Sequence, residues 1–182
     1  MSKQEAETDY FSLFKLPVSF RIDEKVLKKV YYQLSREFHP DFFVSASEEE
    51  KQLAESMAER VNQAFAVLSD FQSRTEYVLS LHGLINGDVK YQLPQDFLIE
   101  MMELNERIES LPEHKSGPEW QALNAEIQSI EDGFYELIES CALKYDSLVE
   151  RPYVLEEMTT LHFKYKYLLR IRENLTTFAP PL

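Results

Sequence analysis

The sequence predicts an all-α protein in which an N-terminal helical hairpin is followed by a C-terminal three-helix bundle. Apolar residues recur at intervals of three or four along each long segment, which is the period of an amphipathic helix. Only four glycines and eight prolines interrupt the 182 residues, and no segment requires a strand pattern. Apolar residues make up 44% of the chain, which is enough to form a core in each half.

The first half begins with a short apolar segment after Asp9, which we expect to form one or two helical turns before Pro17. A second helix is predicted to begin after Asp23, whose side chain is suited to an N-cap. Pro40 should end that helix near Phe38 or His39, because proline removes a backbone hydrogen bond. The apolar positions of this helix are Leu27, Val30, Tyr31, Leu34 and Phe38.

A third helix is predicted to begin after Ser47, since Ser47 and Glu50 have the spacing of a capping box. Its apolar stripe consists of Leu53, Met57, Val61, Phe65 and Leu68. Two long helices joined by a short exposed loop form an antiparallel hairpin, and the short first helix is expected to pack across it. The loop contains His39, Pro40 and Asp41.

A further helical piece is expected around residues 74–82, ended by Gly83. We place the domain boundary between residues 72 and 90. The predicted organisation is therefore an N-terminal domain at 1–72, a linker at 73–90 and a C-terminal domain at 91–182.

The first helix of the C-terminal domain is predicted to begin at Pro94 and to have two apolar stripes. One stripe serves the core, and the other lies on a different side, flanked by Glu103, Glu106 and Ser110. Because an intramolecular core needs only one stripe, the second requires another partner. The core stripe is Phe97, Met101, Leu104 and Ile108, and the second stripe is Leu98, Ile99 and Met102.

The last two helices each have one predicted core stripe. That of the first is Trp120, Leu123, Ile127, Ile130, Phe134, Leu137 and Cys141, and that of the second is Val154, Met158, Leu161, Tyr165 and Leu168. Phe163, Tyr167 and Ile171 are expected to lie away from the core.

Composition and charge exclude several classes of function. The formal net charge is −13, which argues against binding a nucleic-acid backbone. No apolar run approaches the ~20 residues needed to span a bilayer, and the polar, acidic N-terminus lacks the features of a signal or transit peptide. The single cysteine, Cys141, permits neither a disulfide nor a cysteine metal cluster within the chain and is expected to be a small buried apolar residue. We therefore expect a soluble protein of a reducing compartment.

No catalytic motif is present, so we predict that the protein is not an enzyme and carries no metal or cofactor. Its histidines, at positions 39, 82, 114 and 162, lack the spacing of a zinc helix. The chain has neither a glycine-rich phosphate loop nor a nucleophile elbow. His82, His114 and His162 are expected to be structural or surface groups.

Basic residues cluster before the loop, although residues 1–42 carry seven basic and seven acidic side chains and are neutral overall. Arg21, Lys25, Lys28, Lys29 and Arg36 lie largely off the apolar stripe of the second helix. They form either a solvated surface or a docking face for an acidic partner, and charge alone favours the solvated surface.

The His-Pro-Asp tripeptide between a basic amphipathic helix and a second amphipathic helix resembles the loop of a J-domain. Several segments, in the same order, resemble the HscB family of J-type co-chaperones of iron–sulfur cluster biogenesis. They are Asp9-Tyr-Phe-Ser-Leu-Phe-Lys-Leu-Pro17, Phe38-His-Pro-Asp-Phe-Phe43, Val61-Asn-Gln-Ala-Phe65, Arg74-Thr-Glu-Tyr-Val-Leu-Ser-Leu-His-Gly83 and Phe97-Leu-Ile-Glu-Met-Met-Glu-Leu-Asn-Glu106. The resemblance covers almost the whole chain and implies an L-shaped molecule that stimulates the ATPase of an HscA/DnaK-type chaperone and delivers an IscU-like scaffold protein to it.

The resemblance also assigns roles to individual residues. It places His39, Pro40 and Asp41 in the chaperone-activating loop, with Lys25, Lys28, Lys29 and Arg36 on the docking face. It places Leu98, Ile99, Met102, Glu103, Glu106 and Tyr167 in the scaffold-binding patch, which coincides with the second apolar stripe. A generic J-protein that serves unfolded clients is the alternative.

The sequence departs from the family pattern at several positions. Phe42 follows the tripeptide, where many J-domains carry a lysine or arginine, so one positive charge near the loop is missing. Ser110 replaces an acid often found at the scaffold site. The N-terminal cysteine pair of some eukaryotic members is absent, and with the missing transit peptide this favours a bacterial, cytoplasmic member.

Overall fold

The computed structural model describes residues 9–85, 91–111, 117–147 and 151–177. Over these residues it is helical, with no strand, as the sequence predicts. The chain divides into two compact units, Met1–His82 and Gly83–Leu182, and the division falls inside the segment assigned to the linker.

Over residues 9–82, the part of the first unit that the structure describes, there are four α-helices and a 3₁₀ turn. They are α1 (Tyr10–Leu13), α2 (Glu24–Glu37), the 3₁₀ turn (Pro40–Phe43), α3 (Glu48–Ser69) and α4 (Phe71–Leu81). α2 and α3 form the predicted hairpin, and both α1 and α4 pack on α3. The core is built from Phe11, Phe14, Phe20, Leu27, Val61, Leu68, Val78 and Leu79.

Local capping signals set the helix starts. Asp23 accepts hydrogen bonds from the backbone N–H groups of Lys25 and Val26, which confirms the predicted N-cap. The capping box of Ser47 and Glu50 is also confirmed. These side chains satisfy backbone donors that have no partner within the helix, so the sequence fixes the two starts of the hairpin helices locally.

The row of buried residues on α3 differs from the predicted apolar stripe at one position. The prediction that Leu53 belongs to the core was wrong. Leu53 is 45% exposed, whereas its neighbour Ala54 is buried. Ala54, Val61 and Leu68 are seven residues apart, close to two helical turns, so the row of buried residues passes through Ala54.

α4 belongs to the first unit and is fixed by a buried arginine. The Arg74 guanidinium donates to the carbonyl oxygen of Phe20 at 2.9 Å and to that of Leu68. Arg74 therefore ties α4 to the segment before α2 and to the end of α3. Gly83 follows with φ +71°, the left-handed conformation expected after a helix end.

The second unit contains α5 (Gln95–Glu109), α6 (Pro118–Asp146) and α7 (Arg151–Thr177). α7 packs against both other helices. The predicted α5 core residues are all buried, as is Cys141. A core cluster of this unit comprises Phe97, Met101, Leu104, Ile108, Leu123, Ile127, Leu168, Ile171 and Leu175.

Two core assignments in this unit were wrong. Leu137 is 50% exposed and Ile138 is buried instead, because the stripe advances by four residues rather than three after Phe134. Ile171 was placed away from the core but is only 4% exposed. α7 lies against two helices, so its buried arc is wider than one stripe. Tyr165, predicted in the core, is half-buried.

Two arginines join α6 to its neighbours. Arg107 on α5 donates to both carboxylate oxygens of Glu126 at 2.7 and 2.6 Å. Arg172 on α7 donates to both oxygens of Glu131 at 2.9 and 2.6 Å, and the amide oxygen of Asn124 accepts a further bond. Such bidentate contacts fix the angle between helices as well as their distance.

Among the described residues, no helix combines the length and the apolar character needed to cross a membrane.

Candidate docking surfaces

The His-Pro-Asp tripeptide forms an exposed turn directly after α2. Nδ1 of His39 accepts a hydrogen bond from the backbone N–H of Asp41 at 3.2 Å, and Pro40 occupies the first position of the 3₁₀ turn. The Asp41 carboxylate lies 3.6 Å from the same ring nitrogen, and its side chain is 84% exposed. The turn is thus held by its own side chains, while the carboxylate is presented to solvent.

Apolar side chains extend the surface of this turn. Phe42 is 65% exposed and Val44 is 71% exposed. The Phe42 ring contacts the His39 ring edge-on, with centroids 6.2 Å apart. In the sequence, Phe42 indicates only the loss of a positive charge, whereas its exposed ring is also accessible to a partner.

The four basic residues predicted for docking lie on one side of α2. Lys25, Lys28, Lys29 and Arg36 are all exposed. At 3.6 residues per turn they fall within an arc of about 100°, opposite the buried Leu27.

Nζ of Lys28 lies 3.1 Å from Oε2 of Glu24, one turn earlier, and this ion pair partly neutralises the lysine. Lys25, Lys29 and Arg36 form no ion pair with any residue that the structure describes. We call Lys25, Lys28, Lys29 and Arg36 the basic face.

Tyr32 lies in the middle of the basic face and was missed by the sequence reasoning. It is 69% exposed and stands four residues from both Lys28 and Arg36, so the three side chains are neighbours on the helix surface. Tyrosine is enriched among residues that dominate protein interfaces. Its position off the apolar stripe was the signal that could have identified it.

The second apolar stripe of α5 lies outside the core. Ile99 is 57% exposed and Met102 is 59% exposed, whereas Leu98 is half-buried. Glu103 and Glu106 are exposed beside them. The helix therefore presents large apolar side chains next to carboxylates, an arrangement suited to a protein contact rather than to solvent.

Tyr167 on α7 faces part of this stripe. Its ring packs edge-on against Phe97, with centroids 6.0 Å apart, and is half-buried. Met102, Glu106 and Tyr167 together line an open groove of about 690 Å³ between α5 and α7. The structure thus joins three of the six predicted patch residues in one groove, while Leu98, Ile99 and Glu103 do not line it.

The other histidines and the cysteine differ in their burial. His82 is exposed and His162 is buried in the second unit, while His114 lies outside the described residues. Burial, followed by the nearby charge of Glu157, raises the pKa of the Cys141 thiol to about 11. Within the described parts of the chain, no group of three His, Cys, Asp or Glu side chains is placed to hold a metal ion.

Family models match both parts of the chain. Residues 9–77 match the DnaJ domain, and residues 93–176 match the HSCB C-terminal oligomerisation domain. The human iron-sulfur cluster co-chaperone protein HscB is 34% identical over 175 residues, which cover 96% of this chain and 70% of the human protein.

A co-chaperone protein HscB homolog of Vibrio cholerae (strain M66-2) is 42% identical over 105 residues, covering 57% of this chain and 61% of that protein. The crystal structure of human co-chaperone protein HscB aligns with a TM-score of 0.74 at 32% identity, covering 94% of this chain and 82% of that one. The chaperone HscB from Vibrio cholerae aligns with a TM-score of 0.60 at 26% identity, covering 92% and 99%.

Proposed function

Because this chain belongs to the HscB family of co-chaperones, we propose that it stimulates the ATPase of an HscA/DnaK-type chaperone and delivers an IscU-like scaffold protein to it. The transfer serves the maturation of iron–sulfur proteins, and we place it in the cytoplasm. The observation that carries the proposal is the exposed His-Pro-Asp turn beside the basic face.

The proposed activation is allosteric. Asp41 is available to a cation of the chaperone, because its carboxylate is exposed and its backbone is held by His39. A bound turn accelerates hydrolysis only if it binds one chaperone state more tightly than the other. No chemical step takes place on this protein, so no cofactor or covalent intermediate is required of it.

The basic face supplies attraction and orientation. Lys25, Lys29 and Arg36 stand without a counter-ion among the described residues, so an acidic surface on the chaperone would meet uncompensated charge. Exposed charges of this kind steer association, and the attraction is screened by salt. We expect the chaperone complex to weaken as ionic strength rises.

The scaffold is proposed to dock on the second unit, at Leu98, Ile99, Met102, Glu103, Glu106 and Tyr167. This patch has exposed apolar residues and a groove that joins two helices. Its central contacts are apolar, so they should depend less on salt than the chaperone contact.

The test is the steady-state ATPase rate of the cognate HscA-like chaperone with wild-type protein and with Asp41→Asn, each with and without the IscU-like scaffold. Wild type should stimulate, the scaffold should add to the stimulation, and Asp41→Asn should abolish it. The side chain of Asp41 is 84% exposed, so the variant should remain folded, as circular dichroism would verify. Glu136→Gln, an exposed carboxylate of α6, is the matched charge control and should behave as wild type.

Each of the other outcomes would favour a different function. Stimulation that is indifferent to the scaffold would favour the generic J-protein for unfolded clients. An Asp41→Asn variant as active as wild type would remove the turn from the mechanism and overturn the proposal. If the wild-type protein does not stimulate the ATPase, the protein is better described as a structural interaction module.

A further inference from the structure

An exposed aromatic ring, that of Tyr32, stands in the middle of the basic face and is 69% exposed. We propose that Tyr32 anchors the chaperone complex, its ring entering an apolar recess in the acidic docking surface of the chaperone. In this assignment the basic face attracts the chaperone, Asp41 activates it and Tyr32 holds it. The inference rests on the proposed function of the first unit and adds to it a residue that determines affinity.

The position of Tyr32 on α2 is the first argument. At 3.6 residues per turn, Tyr32 falls near the middle of the arc that the basic face spans, about 140° from the buried Leu27. Lys28 and Arg36 lie one turn before it and one turn after it, so both are its neighbours on the helix surface. The ring is therefore placed among cations and away from the core, and the packing of the first unit does not account for it.

A fixed support holds the ring on one side. The Tyr32 ring contacts that of Tyr31, with centroids 5.6 Å apart and planes inclined by 55°. The Tyr31 ring stacks on Phe65 of α3 with centroids 4.1 Å apart, and its hydroxyl donates to Oδ1 of Asn62 at 3.0 Å. α3 thus immobilises Tyr31, which in turn restricts Tyr32. A ring that is already restricted loses less conformational entropy on binding.

The charges around the ring define the surface that it contacts. Lys25, Lys29 and Arg36 form no ion pair within the described ranges, so the complementary surface carries carboxylates around the ring. The part that meets the ring itself must be apolar, because a carboxylate buried against an aromatic face loses its hydration without gaining a hydrogen bond. An aromatic anchor in an apolar recess, surrounded by a charged rim that excludes water, is the usual arrangement of an interface hot spot.

The anchor and the activator are different side chains in different elements. Tyr32 lies about two helical turns before His39, whereas Asp41 belongs to the turn itself. A contact that is equally strong in both chaperone states tightens the complex without changing the equilibrium between those states. We therefore expect Tyr32 to set the concentration of this protein that gives half-maximal stimulation, and Asp41 to set the maximal rate.

The test measures the ATPase rate of the cognate HscA-like chaperone against the concentration of this protein, at low and at high salt. Tyr32→Ala should raise the half-maximal concentration about tenfold at both salt concentrations and leave the maximal rate unchanged. Lys25→Gln with Lys29→Gln should instead flatten the salt dependence. Alanine favours a helix more than tyrosine does, so the variant should remain folded, as circular dichroism would verify.

Two further variants serve as controls for the ring. Tyr32→Phe keeps the ring and removes only the hydroxyl, so its half-maximal concentration should stay within about threefold of the wild-type value. Tyr135→Ala removes a tyrosine of α6 that is 56% exposed, and it should match wild type. Equal losses in Tyr32→Phe and Tyr32→Ala would assign the contact to the hydroxyl and overturn the inference.

The remaining results separate this inference from the proposed function. If wild type stimulates and Asp41→Asn does not, yet Tyr32→Ala matches Tyr135→Ala, the proposed function stands and the anchor is refuted. If wild type does not stimulate, the proposed function fails, and calorimetric titration of the chaperone decides on the anchor: a dissociation constant about tenfold larger for Tyr32→Ala supports it, and an unchanged one refutes it. Self-association of wild type that Tyr32→Ala abolishes, measured by sedimentation velocity, would assign the ring to a second copy of this chain and overturn the inference.

Discussion

Replacing Ile99 and Met102 together by alanine should weaken scaffold binding with little effect on folding. Ile99 is 57% exposed and Met102 is 59% exposed in the free protein, so over half of each side chain is available to a partner. Both residues lie outside the core of the second unit. The variant therefore separates the docking role of the stripe from the structural role of the neighbouring α5 residues.

The magnitude follows from the exposed fractions. Complete burial of an isoleucine or methionine side chain contributes about 1.5–3 kcal/mol, so covering the exposed half contributes roughly 1–1.5 kcal/mol for each. Alanine keeps part of this contact, and the pair should lose about 1.5–2 kcal/mol. That loss corresponds to a dissociation constant about 10- to 30-fold larger. The free energy of unfolding should fall by less than ~1 kcal/mol, as is usual for exposed positions.

The assay is calorimetric titration of the IscU-like scaffold, accompanied by urea denaturation of each variant. The control is Tyr135→Ala with Leu143→Ala, two large apolar residues of α6 that are 56% and 48% exposed. If the α5 pair changes the dissociation constant by less than about twofold, the assignment of the stripe is refuted. Equal weakening by the control pair would show that exposed apolar area, and not this stripe, determines binding.

Two further predictions concern stability. Arg172→Met should lower the free energy of unfolding in urea by about 2–3 kcal/mol, because Glu131, whose side chain is only 12% exposed, loses its cation. Adding Glu131→Gln to this variant should restore the stability. A loss below ~1 kcal/mol in the single variant would contradict the reasoning. Hydrogen bonds from Ser73 hold the pKa of Asp70 below its unfolded value of 3.8, so the stability from this cap is present above that pH and is lost as pH falls through the folded-state pKa. Asp70→Asn keeps a good cap but does not titrate, so acid unfolding followed by circular dichroism should begin at lower pH, and an unchanged profile would exclude this role.

Local signals explain why the order and starts of the helices could be predicted. Asp23, Ser47 and Glu50 act on backbone groups within a few residues, so their effect is readable without knowledge of the fold. The same holds for the His-Pro-Asp turn, which is closed by the side chain of His39 on the backbone of Asp41.

Packing explains the errors. A stripe can advance by three or four residues, and only the position of the partner helix decides whether Leu53 or Ala54, or Leu137 or Ile138, is buried. Ile171 is buried because α7 has two partners, which the period of a single helix does not reveal.

In the candidate site, too, features formed within one helix could be predicted, and features formed between helices could not. The exposed stripe on α5 could be predicted from helical geometry, because all of its members belong to one helix. The groove could not, since its lining residues Glu109 and Glu173 come from different helices far apart in the sequence. The sequence also gave no sign that Arg107 and Arg172 would turn to α6.

The opposite charges of the two surfaces have a consequence for partner choice. The basic face on the first unit attracts acidic protein surfaces, whereas the α5–α7 groove, which Glu106, Glu109 and Glu173 line against Arg170, has a formal charge of −2. A partner whose charge complements one surface is therefore repelled by the other, because like-charge contacts at an interface are costly. Under the proposed function the protein holds a chaperone and a scaffold at once, and this separation of charge would keep either partner from occupying both surfaces.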